Sequence, residues 1–150
     1  MKKYISTLLF CMVLVSQIGA ASAVSETDIA DITEMQKIDV NLQEIVDYDF
    51  DSYSRATNRI EWTISPGRIN RGKPALSLEA GETVTINCSF SPRNADVDFG
   101  LIDSDGYFYF DQGADGSFRQ TICIEESGKY YFATRNNSNS TVEVLGYIYY

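Results

Sequence analysis

Histidine is absent from all 150 residues. Without an imidazole neither a Ser/His/Asp nor a Cys/His arrangement can form, and the commonest general base of protein catalysis is missing. Cysteine is scarce, with three in the chain, and tryptophan occurs once, as Trp62. Basic residues are few: 12 Lys and Arg stand against 21 Asp and Glu, a net charge of −9. That balance excludes general nucleic-acid binding, which depends on neutralising phosphates with Lys and Arg. Long apolar runs are lacking after residue 23, and the one before it, Ile5 to Val15, is shorter than the roughly 20 residues a membrane-spanning helix requires.

That first run fits another use. Lys2 and Lys3 precede it and AASA follows, ending at Ala23, the three-part layout of a secretory signal peptide. Phe10 does not suit a lipoprotein cleavage site at Cys11, where a small residue is needed. The expectation is removal of residues 1–23 and a secreted, extracellular chain from Val24 onward with no membrane insertion. Its charge is 10 basic against 21 acidic residues, a net −11. Its length suits one domain with its own core and a short appendage.

Residues 24–57 read as that appendage, an acidic leader. From Val24 to Ser54 there are nine acids and one Lys, whereas Arg55 to Lys73 holds five basic residues and one Glu. The basic stretch is a candidate dock for the acidic leader, an attraction that salt would weaken; as alternatives it suits anionic wall polymers or a solvated loop. On a helical wheel Ile32, Met35, Ile38, Leu42, Ile45 and Val46 share one face, the stripe of an amphipathic helix. Ser25 with Asp28 resembles a capping box at its start. Two readings compete: Ile38, Val40 and Leu42 also alternate as in a strand, and the acid content suits disorder.

From residue 58 to 150 the period changes to two. Ile60, Trp62 and Ile64 alternate with polar neighbours, and Val84, Ile86, Cys88 and Phe90 lie on one face with Thr83, Thr85, Asn87 and Ser89 on the other. VDFGL, YFYF, FRQTICI, KYYFATR and TVEVLGYIYY follow, separated by DSDG, GADGS, EESG and NNSNS turns. Seven or so short strands with this spacing predict an all-β fold, a two-sheet antiparallel β-sandwich of immunoglobulin-like or jelly-roll-like type.

Within ESGKYYF, Tyr130 occupies the place of the corner tyrosine before an immunoglobulin strand F, and LEAGETVTINCSF resembles strand B. Phe132 then stands where the second bridging Cys would be, and Trp62 precedes Cys88 instead of following it. A bridge from Cys88 to Cys123 is not expected. Alternation sends Cys88 into the core with Val84 and Ile86 and sends Cys123 to solvent with Arg119 and Thr121, whereas a disulfide needs Cβ atoms about 4 Å apart. Across Leu76 to Tyr150 the succession LEAGETVTINCSF, VDFGLIDSDGYFYF, DGSFRQTICI, SGKYYFATRNNS, TVEVLGYI resembles small, largely uncharacterised secreted β-sandwich proteins of Gram-positive bacteria. It is also loosely similar to the pre-peptidase C-terminal domains of secreted hydrolases. Neither resemblance implies a catalytic residue.

Candidate chemistry is therefore sparse. Asp96, Asp98, Asp103 and Asp105 cluster in ADVDFGLIDSDG. With Asp111 and Asp115 they are candidate Ca²⁺ ligands, since that ion takes six to eight hard oxygens, although DSDG lacks the rest of an EF-hand loop. They are also the only acids that could support a two-carboxylate hydrolase. Against both uses, Asp98 alternates to the solvent side and Asp105-Gly106 is ordinary turn chemistry. No other cofactor is implied. Ten tyrosines are the more informative excess. Tyr107, Tyr109, Tyr147 and Tyr149 are the expected outward set, with Phe108, Phe110 and Ile148 in the core, and exposed rings stack on sugars or anchor protein partners. Tyrosine also simply suits the wet face of a sheet. Asn136 and Asn139 open sequons that bacterial secretion would leave unmodified. The function expected is a non-catalytic module binding an extracellular glycan or a surface protein, with a self-assembling structural protein as the alternative.

Overall fold

A computed structural model of the chain describes residues 29–40, 44–54 and 57–150, with backbone alone for 51–54. The signal-peptide reading of residues 1–23, and Ser25 and Asp28 of the capping box, lie outside the described residues. Thirteen strands run in order β1 (Ile29–Asp31), β2 (Gln36–Asp39), β3 (Ile45–Asp49), β4 (Asp51–Ser54), β5 (Thr57–Ile64), β6 (Ile69–Lys73), β7 (Leu76–Leu78), β8 (Thr83–Ser91), β9 (Val97–Ile102), β10 (Tyr107–Gln112), β11 (Ser117–Cys123), β12 (Gly128–Asn136) and β13 (Val142–Tyr149). They form two sheets packed as a sandwich. Sheet 1 has the order β1-β11-β8-β13-β5-β4, and sheet 2 the order β2-β10-β9-β12-β6-β3, with β7 also on β12. The expected antiparallel pairing holds except at two places: β1 lies parallel to β11 and β3 parallel to β6, so both sheets are mixed.

The body, residues 57–150, follows from alternation. In β5, Asn58, Ile60, Trp62 and Ile64 are buried and their neighbours are not, and β8 does the same with Val84, Ile86, Cys88 and Phe90. These inward rows meet Val97, Phe99, Leu101 and Phe132 of sheet 2 to form the main core. Turn chemistry fixes the register between β9 and β10. Asp103 Oδ1 accepts from the amides of Asp105 and Tyr107, both at 2.9 Å, and Gly106 takes φ +89°, a conformation costly for any residue with a Cβ.

The corner before β12 resolves the immunoglobulin likeness in physical terms. Tyr130 donates its hydroxyl to the Glu126 carbonyl at 2.7 Å, tying the start of the strand to the turn before it. Two residues on, Phe132 packs against Trp62 of the opposite sheet with ring centroids 5.3 Å apart. An aromatic contact therefore joins the layers at the position where a bridging Cys would stand.

Of the readings open for the leader, the structure shows strands and not the amphipathic helix. Its described residues include one 3-10 turn, Ile32–Glu34, and four strands that end the path of each sheet: β1 and β4 flank sheet 1, β2 and β3 flank sheet 2, with β7 off the path beside β12. Among the described residues the two sheets thus include strands from Ile29 onward. The apolar residues that suggested a helical stripe are spent separately. Ile32 and Met35 enter the main core between β1 and β2, while Ile38 and Ile45 join a second cluster with Val40, Ile69, Ile102, Phe108, Phe110 and Ala133 on the outward side of sheet 2. On the opposite flank Tyr48 and Phe50 pack on Trp62, with centroids 5.6 and 6.2 Å away. Phe50 lies so close over Gly72 that a Cβ there would overlap its ring. Residues 29–54 form a belt that closes both open sides of the sandwich. The docking of acidic leader on basic stretch is also present, since Asp47 pairs with Arg71 and Lys73 of β6, each at 2.7 Å.

Candidate binding face

The outward sides of the two sheets differ in kind. Sheet 2 is dry there: Phe108, Ile102, Ile69 and Ala133 are buried, and guanidinium groups lie over the rings, Arg135 at 4.6 Å from the Phe110 centroid and Arg71 at 4.7 Å from that of Tyr131. Sheet 1 is wet. Its outward residues are mostly Ser, Thr, Asn, Arg and Glu, with exposed Ile29 at the β1 edge and, along β13, an apolar ridge of Leu145, Tyr147 and Tyr149. Leu145 is 50% and Tyr149 42% exposed, Tyr147 is half-buried, and the two rings sit 6.3 Å apart and tilted by 30°.

Strand register decides what flanks the ridge. β13 pairs with β5 on one side and β8 on the other, so Tyr147 lies between Arg59 and Asn87, with Arg119 of β11 beyond Asn87. Tyr149 lies between Thr57 and Thr85, and the Thr85 hydroxyl meets that of Thr121 at 2.9 Å. Arg59 is paired with Glu61 at 2.7 Å. Gly146 keeps this strand close to its neighbour, because a Cβ there would overlap the backbone of Asn87 and Cys88. The result is a face of hydroxyls, an amide, two cations and the Glu61 and Glu143 carboxylates around aromatic rings, suited to stacking and hydrogen bonding.

The other expected tyrosines are placed differently. Phe108 and Phe110 are buried as expected, but in the second cluster, because register sets Phe108 against Ile102 and Phe110 against Gly100 on the outward side of sheet 2. Tyr107 and Tyr109 consequently project from the inner side of that sheet at its rim. Lys37 of β2 lies 4.0 Å from the Tyr107 centroid and 5.0 Å from that of Tyr109, and its ammonium is held above its ordinary pKa chiefly by the hydrogen bond with Tyr109. Tyr109 also donates to Asp103 Oδ2 at 3.2 Å. Tyr107 stays 37% exposed, but this pair is separate from the β13 ridge.

Asp96 and Asp98 meet at Asn137, whereas Asp103 and Asp105 belong to the turn after β9. Asp98 and Asp103 are five residues apart on an extended strand, about 17 Å, well beyond the roughly 5–9.5 Å between glycosidase carboxylates. Asp98 does not face solvent as alternation on a two-layer sandwich suggests. It is 3% exposed, because the outward side of sheet 2 is covered, and it accepts from Arg135 Nη2 at 2.6 Å, Arg135 Nε at 2.8 Å and Asn137 at 2.7 Å. Asp96 accepts from Gln112 at 2.7 Å and shares Asn137 at 3.2 Å. Asp103 is occupied by the turn and Asp105 is exposed beside it. Among the described residues no group of three His, Cys, Asp or Glu is spaced to hold a metal.

An open depression of about 320 Å³ beside Asp111, Ser117 and Gln120 contains one carboxylate, and that carboxylate already accepts from Gln120 at 2.8 Å. Cys88 is a free thiol in the core, its pKa pushed up to about 12 by burial, so the reactive thiolate is suppressed. Cys123 lies on the other side of β11, as alternation requires. It is nevertheless buried instead of facing solvent, at the point where β1 adds Asp31 beside it. Asn136 is buried and donates to the Ile64 and Ser140 carbonyls at 3.0 and 2.8 Å, an inter-sheet tie in place of a glycan acceptor.

Sequence reasoning singled out Tyr147 and Tyr149 but not Leu145, Asn87 or Arg119. The signal was present in β13, whose polar alternate positions begin with Glu143 and then carry Leu145, an apolar residue out of pattern. Cross-strand neighbours cannot be read from one strand.

No protein-family model matches the chain, and no curated protein matches it. Among solved structures it is similar to PliG of Aeromonas hydrophila, a periplasmic lysozyme inhibitor of g-type lysozyme, with a TM-score of 0.47 and 10% identity over 71% of this chain and 96% of that one. Among the described residues no helix is long and apolar enough to cross a membrane.

Proposed function

We propose that the chain is an extracellular, non-catalytic binding module whose outward face of sheet 1 contacts a glycan or a surface protein through Tyr147, Tyr149 and Leu145. One observation carries this reading: an aromatic and aliphatic ridge stands exposed in the middle of an otherwise hydroxyl-rich face, where neither the core nor a sheet edge needs it. Contiguous exposed apolar groups rimmed by polar ones mark interaction surfaces. The chain's lack of histidine, and the engagement of Asp96 and Asp98 by Gln112, Arg135 and Asn137, support a role without catalysis.

The test is a glycan array, together with a binding screen against purified cell-surface proteins, using the secreted chain and its Tyr147→Ser/Tyr149→Ser double variant. Loss of a specific signal in the double variant, with the thermal melt unchanged, supports the face. A signal that survives the double substitution places binding elsewhere and removes the reading. A second reading, self-assembly, is favoured by the strands at both ends of each sheet's path, β1, β4, β2 and β3, belonging to one segment.

A further inference from the structure

Tyr107, Tyr109 and Asp103 have no part in the sheet 1 face, yet they meet around one cation at the rim of sheet 2. The Lys37 ammonium lies 4.0 Å from the Tyr107 ring centroid and 5.0 Å from that of Tyr109. It donates to the Tyr109 hydroxyl, which in turn donates to Asp103 Oδ2 at 3.2 Å. The other oxygen of Asp103 is held by the amides of Asp105 and Tyr107, so a single turn fixes the carboxylate relative to the rings. Register adds a second acid, since Asp39 is opposite Tyr107 and on the same side of β2 as Lys37. Aromatic faces backed by carboxylates are what a cation requires of a binding site.

The site and its occupant are held very differently. Tyr109 is half-buried against the main core, and β10 is paired on both sides. Lys37 is exposed on the outer strand β2, at the end of a stem with many rotamers to lose. Water competes for an ammonium placed over exposed rings, so the attraction is weak and the side chain leaves readily. Tyr107 is 37% exposed, and its ring is reached from solvent. We propose that Tyr107, Tyr109 and Asp103 form a second binding site, for the primary ammonium of a lysine presented by a partner protein, and that Lys37 is its tethered competitor. The occupant seen is itself a lysine, so the rim already accommodates that stem and that charge. The Tyr109 hydroxyl accepts an N–H, which a primary ammonium supplies and a quaternary one does not. The chain's net charge of −9 favours the approach of a cationic partner. This inference stands apart from the ridge on β13, which belongs to the other sheet.

The experiment follows isotope-labelled tyrosine rings by NMR as N-acetyl-lysine methylamide is added to the secreted chain, to Lys37→Met and to Lys37→Met/Tyr107→Leu. Saturable shifts of Tyr107 and Tyr109 are expected in Lys37→Met at about one-tenth of the concentration the unaltered chain needs, because self-occupancy lowers apparent affinity by the fraction of sites standing open. The double variant should lose the response at Tyr109. The norleucine counterpart of the probe, which keeps the stem and lacks the ammonium, should move neither ring. Lys37→Gln repeats the test should Met disturb the strand, with the amide signals of Gln36–Asp39 reporting whether β2 stays paired. Silence of both rings in Lys37→Met and Lys37→Gln, with β2 still paired, overturns the site. An unaltered chain that responds as strongly as the two Lys37 variants overturns the competitor role. Rings that answer to glucosamine and ignore the blocked lysine overturn the ligand class.

Discussion

β5 buries Asn58, Ile60, Trp62 and Ile64 and exposes Arg59, Glu61 and Thr63 between them, whereas β3, running beside β6, buries no residue along its length. Both are strands. The body strand is held by what its side chains do, the belt strand by what its backbone does and by the residues at its ends. The ion pairs show the same division. Asp98 of the body is enclosed with Arg135, while Asp47 of the belt pairs with Arg71 and Lys73 at the surface. A body strand advertises itself by periodicity, and an edge strand with little to bury does not.

The comparison can be broken first at the aromatic contact between layers. Phe132→Ala should cost about 3–5 kcal/mol, and Met35→Ala in the belt about 2 kcal/mol, both measured by urea unfolding. Equal losses would mean that the belt is as deeply integrated as the body. The ion pairs come next. Asp98→Ala strands Arg135 over Phe110 and should cost about 3 kcal/mol, the lower end for a buried pair because the guanidinium retains some contact with solvent. A loss under about 1 kcal/mol would show that water rescues Arg135.

Smaller still is the corner: Tyr130→Phe removes the bond to the Glu126 carbonyl and should cost about 1 kcal/mol, with no change in fold by circular dichroism. The smallest effect belongs to Asp47. Its carboxyl is held below the ordinary value, first by the hydrogen bonds from Arg71 and then by Lys73, against an opposing effect of burial. A depressed folded-state pKa stabilises above the unfolded value, about 3.9, and that contribution is lost as the pH falls through the lower folded value. With its side chain 35% exposed, solvent screening keeps the contribution within about 1 kcal/mol. Asp47→Asn should therefore destabilise slightly at pH 7 and low salt, by less at high salt, and by progressively less as the pH falls below the unfolded value. Limited proteolysis of the belt across salt and pH reads this directly. Cutting rates that ignore both would remove electrostatics from the belt's fastening.

The same contrast explains what was legible in advance. Strands β5 and β8 to β13, the two-layer packing and the corner at Tyr130 could all be read, because alternation, turn residues and a Gly-x-Tyr spacing are local patterns. In the belt, helical spacing competes with strand alternation because Ile32, Met35, Ile38 and Ile45 serve different places: Ile32 and Met35 plug the main core at a junction while Ile38 and Ile45 face the second cluster. Asp98 and the Tyr107/Tyr109 pair were assigned by an alternation that presumes one dry face per sheet, and sheet 2 has two.

By itself the sequence determined that the body is extended chain, that this chain has no imidazole chemistry, and that Tyr147 and Tyr149 share the polar side of the last strand, since each depends only on composition or on a period of two. The tertiary structure alone decided that one segment borders both sheets, that Phe132 meets Trp62 across the layers, and that Asn87 and Arg119 stand in line with Tyr147. Those facts lie in which strands become neighbours, and neighbours in a sheet are chosen by contacts far apart in the chain.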